Sequence, residues 1–214
     1  GGLKIPPFTS EVLMDKVSVS NLSLSLVGAK TISTFNEDSA SARIITKFYD
    51  VIRDEVLSEA IWTFAQKRVA LATLVETPVF TDDGVTICYA LPTDFIKLNF
   101  VSDPSAIIKI EGGKLLSNTA GLKIQYTFRN DDPSTYYPKF ITALATRLAA
   151  AICFNLSESV TKAKDLLSEY EGSLLPRAVS SDAQQGSPLQ VEQSEWENAR
   201  QGGGLWSRPG GGSW

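Results

Sequence analysis

Histidine is absent from all 214 residues of the chain. That absence excludes Ser-His-Asp and Cys-His catalytic arrangements, HExxH zinc sites and most other imidazole chemistry. Enzyme hypotheses shrink to carboxylate, Lys or Tyr catalysis. Cysteine is scarce too. Cys88 and Cys153 sit in apolar surroundings, Thr-Ile-Cys-Tyr and Ala-Ile-Cys-Phe, and form no CxxC pair. They are expected to be reduced core thiols, which points to a reducing compartment.

No stretch approaches the roughly 18 uninterrupted apolar residues of a membrane span. The opening Gly1-Gly-Leu-Lys-Ile-Pro-Pro-Phe8 lacks the apolar core of a signal peptide. The expectation is a soluble protein made in the cytoplasm, with no membrane partner. Basic runs are missing as well: 20 Lys and Arg residues are scattered along a chain of net charge -4. With a pI near 5.0, the chain offers no phosphate-tracking patch. What is present is ordinary globular material, 43% apolar and 21% charged, enough for one sizeable core that buries roughly 70% of the unfolded surface.

Helical signals come first. Thr9 or Ser10 can cap a helix that stops near Gly28, with two apolar stripes, although Leu22-Ser-Leu-Ser-Leu26 alone alternates like a strand. A helix packed on two sides is expected there. Asn36 to Ser39 supplies caps for a second helix, whose Ala42, Ile45, Tyr49, Ile52 and Val56 recur at 3-4-3-4 spacing. Ile44, Phe48 and Val51 widen its apolar face, and its charged residues, Arg53 among them, fall mostly elsewhere on the cylinder.

The period changes at Val69. Runs at 69–75, 85–90, 95–101, 107–110 and 122–128 have β character and are separated by turn chemistry, including Thr81-Asp-Asp-Gly84 and Glu111-Gly-Gly113. Pro138 then opens an Ala-rich helix, and a further helix is expected from Ser159 to about Ala178, with Pro176 a point where it ends or kinks. Beyond Asp182 the composition turns to Gln, Ser, Gly and Pro, yet this stretch holds three of the four tryptophans.

The expected fold is therefore α+β: a helical-bundle body with a small antiparallel β-subdomain and an extended C-terminal arm. Residues 1–68 supply the N-terminal helices of the body, 69–129 the β-subdomain, 130–181 the C-terminal helices and 182–214 the arm.

Adjacent carboxylates at Asp82-Asp83 and Asp131-Asp132 resemble the pairs of glycoside hydrolysis. Both lie in turns beside Gly or Pro, where Asp is favoured for backbone reasons. Lys67-Arg68 beside Trp62 and Phe64 could stack on nucleobases, although a solvated edge is the commoner use of two basic residues. Glu111-Gly-Gly113 is too short to cradle a phosphate. Trp196, Arg200, Trp206, Arg208 and Trp214 carry the side chains most enriched among interface anchors, which suggests an arm that folds onto a partner.

The order of segments resembles the head-to-tail adaptor (head–tail connector) proteins of short-tailed bacteriophages, the tail tubular protein A-like group. The matching elements are Asn21-Leu-Ser-Leu-Ser-Leu-Val-Gly-Ala29, Asn36-Glu-Asp-Ser39, Phe48-Tyr-Asp50, Trp62-Thr-Phe-Ala65, Tyr89-Ala-Leu-Pro-Thr-Asp94, Leu122-Lys-Ile-Gln-Tyr126 and Ser194-Glu-Trp-Glu-Asn-Ala-Arg200. Their collinear order carries the likeness. Ile61 replaces the proline usual before the Trp, and the Gly- and Trp-rich extension after Arg200 has no counterpart.

The resemblance implies a virion structural protein at the head–tail junction, assembled as a homo-oligomeric, twelve-fold ring between the portal protein and the tail nozzle protein. DNA would pass through the channel during ejection without specific binding. No catalytic residue, cofactor or metal is implied. Trp196, Arg200, Trp206, Arg208 and Trp214 become the expected portal-facing anchors, with Trp62 and Phe64 as a wedge between helices and sheet or, equally, as plain core filling. The alternatives are a carboxylate-dependent phage cell-wall hydrolase using pairs such as Asp82 and Asp83, and a monomeric tail-assembly chaperone or fibre-binding module.

Overall fold

The computed structural model describes residues 14–78, 80 and 84–186. Helix α1 (Lys16–Val27) begins at Asp15, whose carboxylate accepts from the Ser18 N–H at 2.7 Å. It ends on Gly28, where φ of 78° is open to glycine and the N–H caps Leu24 and Ser25. The helix expected from Thr9 or Ser10 therefore starts later, because Asp15 is extended and caps it. The Leu22–Leu26 alternation is helical, not a strand. The Ser20, Ser23 and Ser25 hydroxyls donate back to the carbonyls four residues earlier, at 2.7, 3.1 and 2.8 Å, so these serines need no other partner. Val19, Leu24 and Val27 are buried, but Leu22 and Leu26 of the second stripe remain exposed.

Helix α2 (Ala40–Glu59) is capped by the Ser39 hydroxyl and buries Ala42, Ile45, Tyr49, Ile52 and Val56 as the spacing predicts. Val51 does not widen that face, since it is exposed. Arg53, one of the charged residues expected mostly away from the apolar face, is 2% exposed.

A one-turn 3-10 segment, Thr63–Ala65, leads into β1 (Gln66–Ala70), three residues ahead of the expected start. The remaining strands are β2 (Ile87–Ala90), β3 (Phe95–Val101), β4 (Ile108–Glu111), β5 (Lys114–Ser117) and β6 (Lys123–Phe128). They form two antiparallel three-stranded sheets, β1-β6-β3 and β2-β5-β4. Strand β5 was not among the expected runs. Gly112 and Gly113, with φ of 55° and 74°, make the two-residue hairpin turn that returns β4 to β5.

Helix α3 (Pro138–Ser157) carries proline in its first turn, and its Ala143, Ala145 and Ala149 are fully buried, which lets α1, α2 and α4 approach closely. By length and mean hydropathy, 1.5, it could cross a membrane. Its apolar side chains are instead the centre of the body, with 56% of that window buried.

Ser159 caps α4 (Val160–Glu169), which passes through a π turn (Tyr170–Leu174) into α5 (Leu175–Gly186). Pro176 does not end this run, which stays helical to Gly186. The π turn shifts the hydrogen-bond register just before it, so the missing N–H falls in the first turn of α5. The helical body thus reaches Gly186, and residues 182–186 belong to it and not to an extended arm.

Two cores result. The helical one gathers residues of α1 to α5 around Leu144, Leu148 and Ile152. The β one joins Leu71, Tyr89, Leu115, Leu122, Ile124 and Tyr126. Cys153 is buried in the first core and Cys88 on β2, both with free thiols.

Candidate functional site

Trp62 is fully buried where α2 gives way to β1. Its indole N–H donates to the Val56 carbonyl at 2.9 Å, satisfying one of the orphan carbonyls at the end of α2. Its ring meets Phe140 edge-on at 4.8 Å. Phe64 packs on Tyr136, Tyr137 and Phe140 at centroid distances of 5.3, 5.3 and 4.8 Å. These ring contacts run to the entry of α3 and not to a strand. The pair fixes where β1 departs by anchoring the corner to the helical core.

Asp182 holds the same corner from the far end of the chain. Its carboxylate accepts from the Thr63 N–H and the Thr63 hydroxyl, both at 2.8 Å, and the Tyr137 hydroxyl lies 3.1 Å from the Thr63 hydroxyl oxygen, which is left to accept from it.

A second polar cluster centres on Arg53. Its guanidinium takes Asp54 through Nε at 3.0 Å and Nη2 at 2.8 Å, Asp50 through Nη1 at 2.8 Å, and Asp131 through Nη1. Burial pushes its pKa down, but the bond to Asp54 and the charges of Asp54, Asp131 and Asp50 outweigh burial and raise it. Arg129 completes the group by donating to the other oxygen of Asp54 at 2.8 Å. Asp132 caps the Pro133–Thr135 turn through the Ser134 N–H and hydroxyl, which hold its carboxyl below the usual range. Both carboxylates of the Asp131-Asp132 pair are thus engaged in tying the segment before α3. Asp82 and Asp83 lie outside the described residues.

Lys67 and Arg68 part company on β1. Lys67 lies over the Phe128 ring at 3.9 Å and donates to Asp94 at 2.6 Å, while the Tyr126 hydroxyl donates to the other Asp94 oxygen at 2.9 Å. Desolvation works to raise the Asp94 pKa, yet these two bonds prevail and lower it. Burial and the neighbouring Asp94 charge push the Tyr126 phenol up to about 12.

Arg68 points to the open face of its sheet. Strand register places Arg68, Gln125 and Phe100 in one row across β1, β6 and β3. With Val69, Ala70 and Lys123 they line a shallow groove of about 410 Å³, in which Phe100 is 58% exposed. A smaller apolar groove of about 280 Å³ runs between α3 and α4, where Phe154 and Val160 are 58% and 51% exposed.

Among the described residues no group of three or more His, Cys, Asp or Glu could hold a metal ion. The expected arm anchors, Trp196, Arg200, Trp206, Arg208 and Trp214, lie outside the described residues. No protein-family model matches the chain, and no curated protein is significantly similar to it.

Sequence reasoning missed Arg53, the Thr63 to Asp182 tie and the Arg68 to Phe100 row. An Arg amid an otherwise regular apolar helix face, at 49, 52, 53 and 56, was the available signal for the first. Nothing local signals the other two.

Proposed function

We propose that the chain is a virion structural protein, a head-to-tail adaptor that forms a homo-oligomeric ring between the portal protein and the tail nozzle protein of a bacteriophage. The observation that carries this reading is the pair of unlike apolar surfaces left on the helical body. Leu22 and Leu26 form a stripe along α1, and Phe154 and Val160 flank the α3–α4 groove.

A closed ring of identical subunits uses a heterologous contact, in which one face of each copy meets a different face of the next. Apolar area left exposed on α1 and at the α3–α4 groove of one body suits such a contact. The collinear likeness to phage adaptors supports the same reading. An acidic chain, net -4, also suits a DNA channel, because it repels phosphates over roughly 10 Å at physiological salt and resists sticking.

The body is held together by polar ties at structural corners, Arg53 with three aspartates and Thr63 with Asp182, as suits a gasket more than a catalyst. Trp196, Arg200, Trp206, Arg208 and Trp214 serve in this account as portal-facing anchors. The chain acts without catalysis, cofactor or metal, in the virion at the head–tail junction.

The test is co-sedimentation of the full chain, and of a chain shortened after Ala199, with purified portal rings of the cognate phage. The full chain should sediment with the portal. The shortened one should lose binding while its circular dichroism spectrum stays nearly unchanged, and retained binding would remove the arm from the account.

A further inference from the structure

The sheet face bearing Arg68, Phe100 and Lys123 combines exposed apolar area with two cations and no lining carboxylate. Neither the Arg68 nor the Lys123 side chain has an ion pair or a hydrogen bond among the described residues. A face of that kind calls for a covering group that is both aromatic and acidic. The chain contains one: Val191-Glu-Gln-Ser-Glu-Trp-Glu-Asn-Ala-Arg200, in which Glu192, Glu195 and Glu197 surround Trp196.

The Asp182–Thr63 tie bounds how far from the face this stretch begins. Asp182 is bonded to Thr63 at the entry to β1, and α5 ends at Gly186. Four helical residues beyond Asp182 advance about 6 Å, and the path from Thr63 through the 3-10 turn and along β1 to Arg68 is about 13 Å. The ten residues from Gly186 to Trp196 span up to about 33 Å. That length is sufficient for the same chain to bring Trp196 onto the row.

We propose that residues 191–200 cover the open face of the β1-β6-β3 sheet in the same chain. The glutamates pair with Arg68 and Lys123, and the Trp196 indole lies on Phe100. Arg68 adds a cation against the indole face. The contact stands or falls without any portal. Under the adaptor reading it stores Trp196 until the portal receives it, which keeps an exposed indole from associating at random.

Solution NMR of the full chain tests this through the indole N–H resonances. Trp62, bonded to Val56, reports that the body is folded, and Trp196→Phe assigns the second signal. The contact predicts a nuclear Overhauser effect between the Trp196 indole and the Phe100 ring, unchanged on tenfold dilution. The double reversal Arg68→Glu with Lys123→Glu should move Trp196 to its free-indole position and leave Trp62 in place. Glu195→Gln with Glu197→Gln, outside the described body, should do the same should the reversal disturb the sheet.

Three results overturn the proposal. One is a Trp196 signal already at the free position and indifferent to both variants. Another is a contact that weakens on dilution, which assigns the segment to a second copy. The third is release by Lys164→Glu instead, which places Trp196 in the α3–α4 groove.

Discussion

Asp182 accepts two hydrogen bonds from Thr63, one from the backbone N–H and one from the hydroxyl, each 2.8 Å long, across 119 residues of sequence. This tie clamps the C-terminal helix to the corner where α2 gives way to β1, so the helical body closes on itself at the point from which the sheet departs.

Asp182→Ala leaves the Thr63 N–H unpaired in a mostly buried site. A loss of about 1–3 kcal/mol is expected for an orphaned donor. Urea denaturation checks it, and Thr63→Ser, which keeps both donors, should cost much less.

Arg53→Met tests the aspartate cluster. Removing the guanidinium abandons bonds to Asp50, Asp54 and Asp131, two of which are largely exposed, so water can recover part of the loss. A destabilisation of about 1.5–3 kcal/mol is expected for charged hydrogen bonds. Arg53→Lys should restore only a fraction, because an ammonium lacks the fork that takes Asp54 through two nitrogens.

Much of the fold was legible before any coordinates. The 3-4-3-4 spacing of α2, Pro138 at the head of α3 and the Gly112-Gly113 turn each settle local geometry, and the structure follows them. Arg53 was not legible because one of its partners, Asp131, is 78 residues away. The polar composition at Asp182 suggested an arm, since a single buried carboxylate bonded to Thr63 leaves no mark on composition. Strand β5 escaped because four residues after a Gly-Gly pair carry little periodicity. The open sheet row escaped for a related reason: Arg68, Gln125 and Phe100 are joined only by strand register.

Trp62→Ala should cost about 3–5 kcal/mol, the range for deleting a buried large aromatic. Trp62→Phe should cost less, since it keeps the contact with Phe140 and loses the bond to Val56. Thermal denaturation followed by circular dichroism measures both.

Acid should loosen the β1–β3 junction through Asp94. Its pKa is lower folded than unfolded, so its contribution is complete above the unfolded value near 3.9. That contribution is lost as pH falls through the folded value. Stability measured against pH in this window should therefore fall less steeply in Asp94→Asn. At the alkaline end Tyr126, held up at about 12, should ionise after the ordinary tyrosines in an ultraviolet titration.

Negative-stain images of the full chain mixed with purified portal rings test the central claim most directly. An adaptor adds an annular layer with the symmetry of the portal to one end of each ring. Bare portal rings beside a chain that remains monomeric would contradict the account.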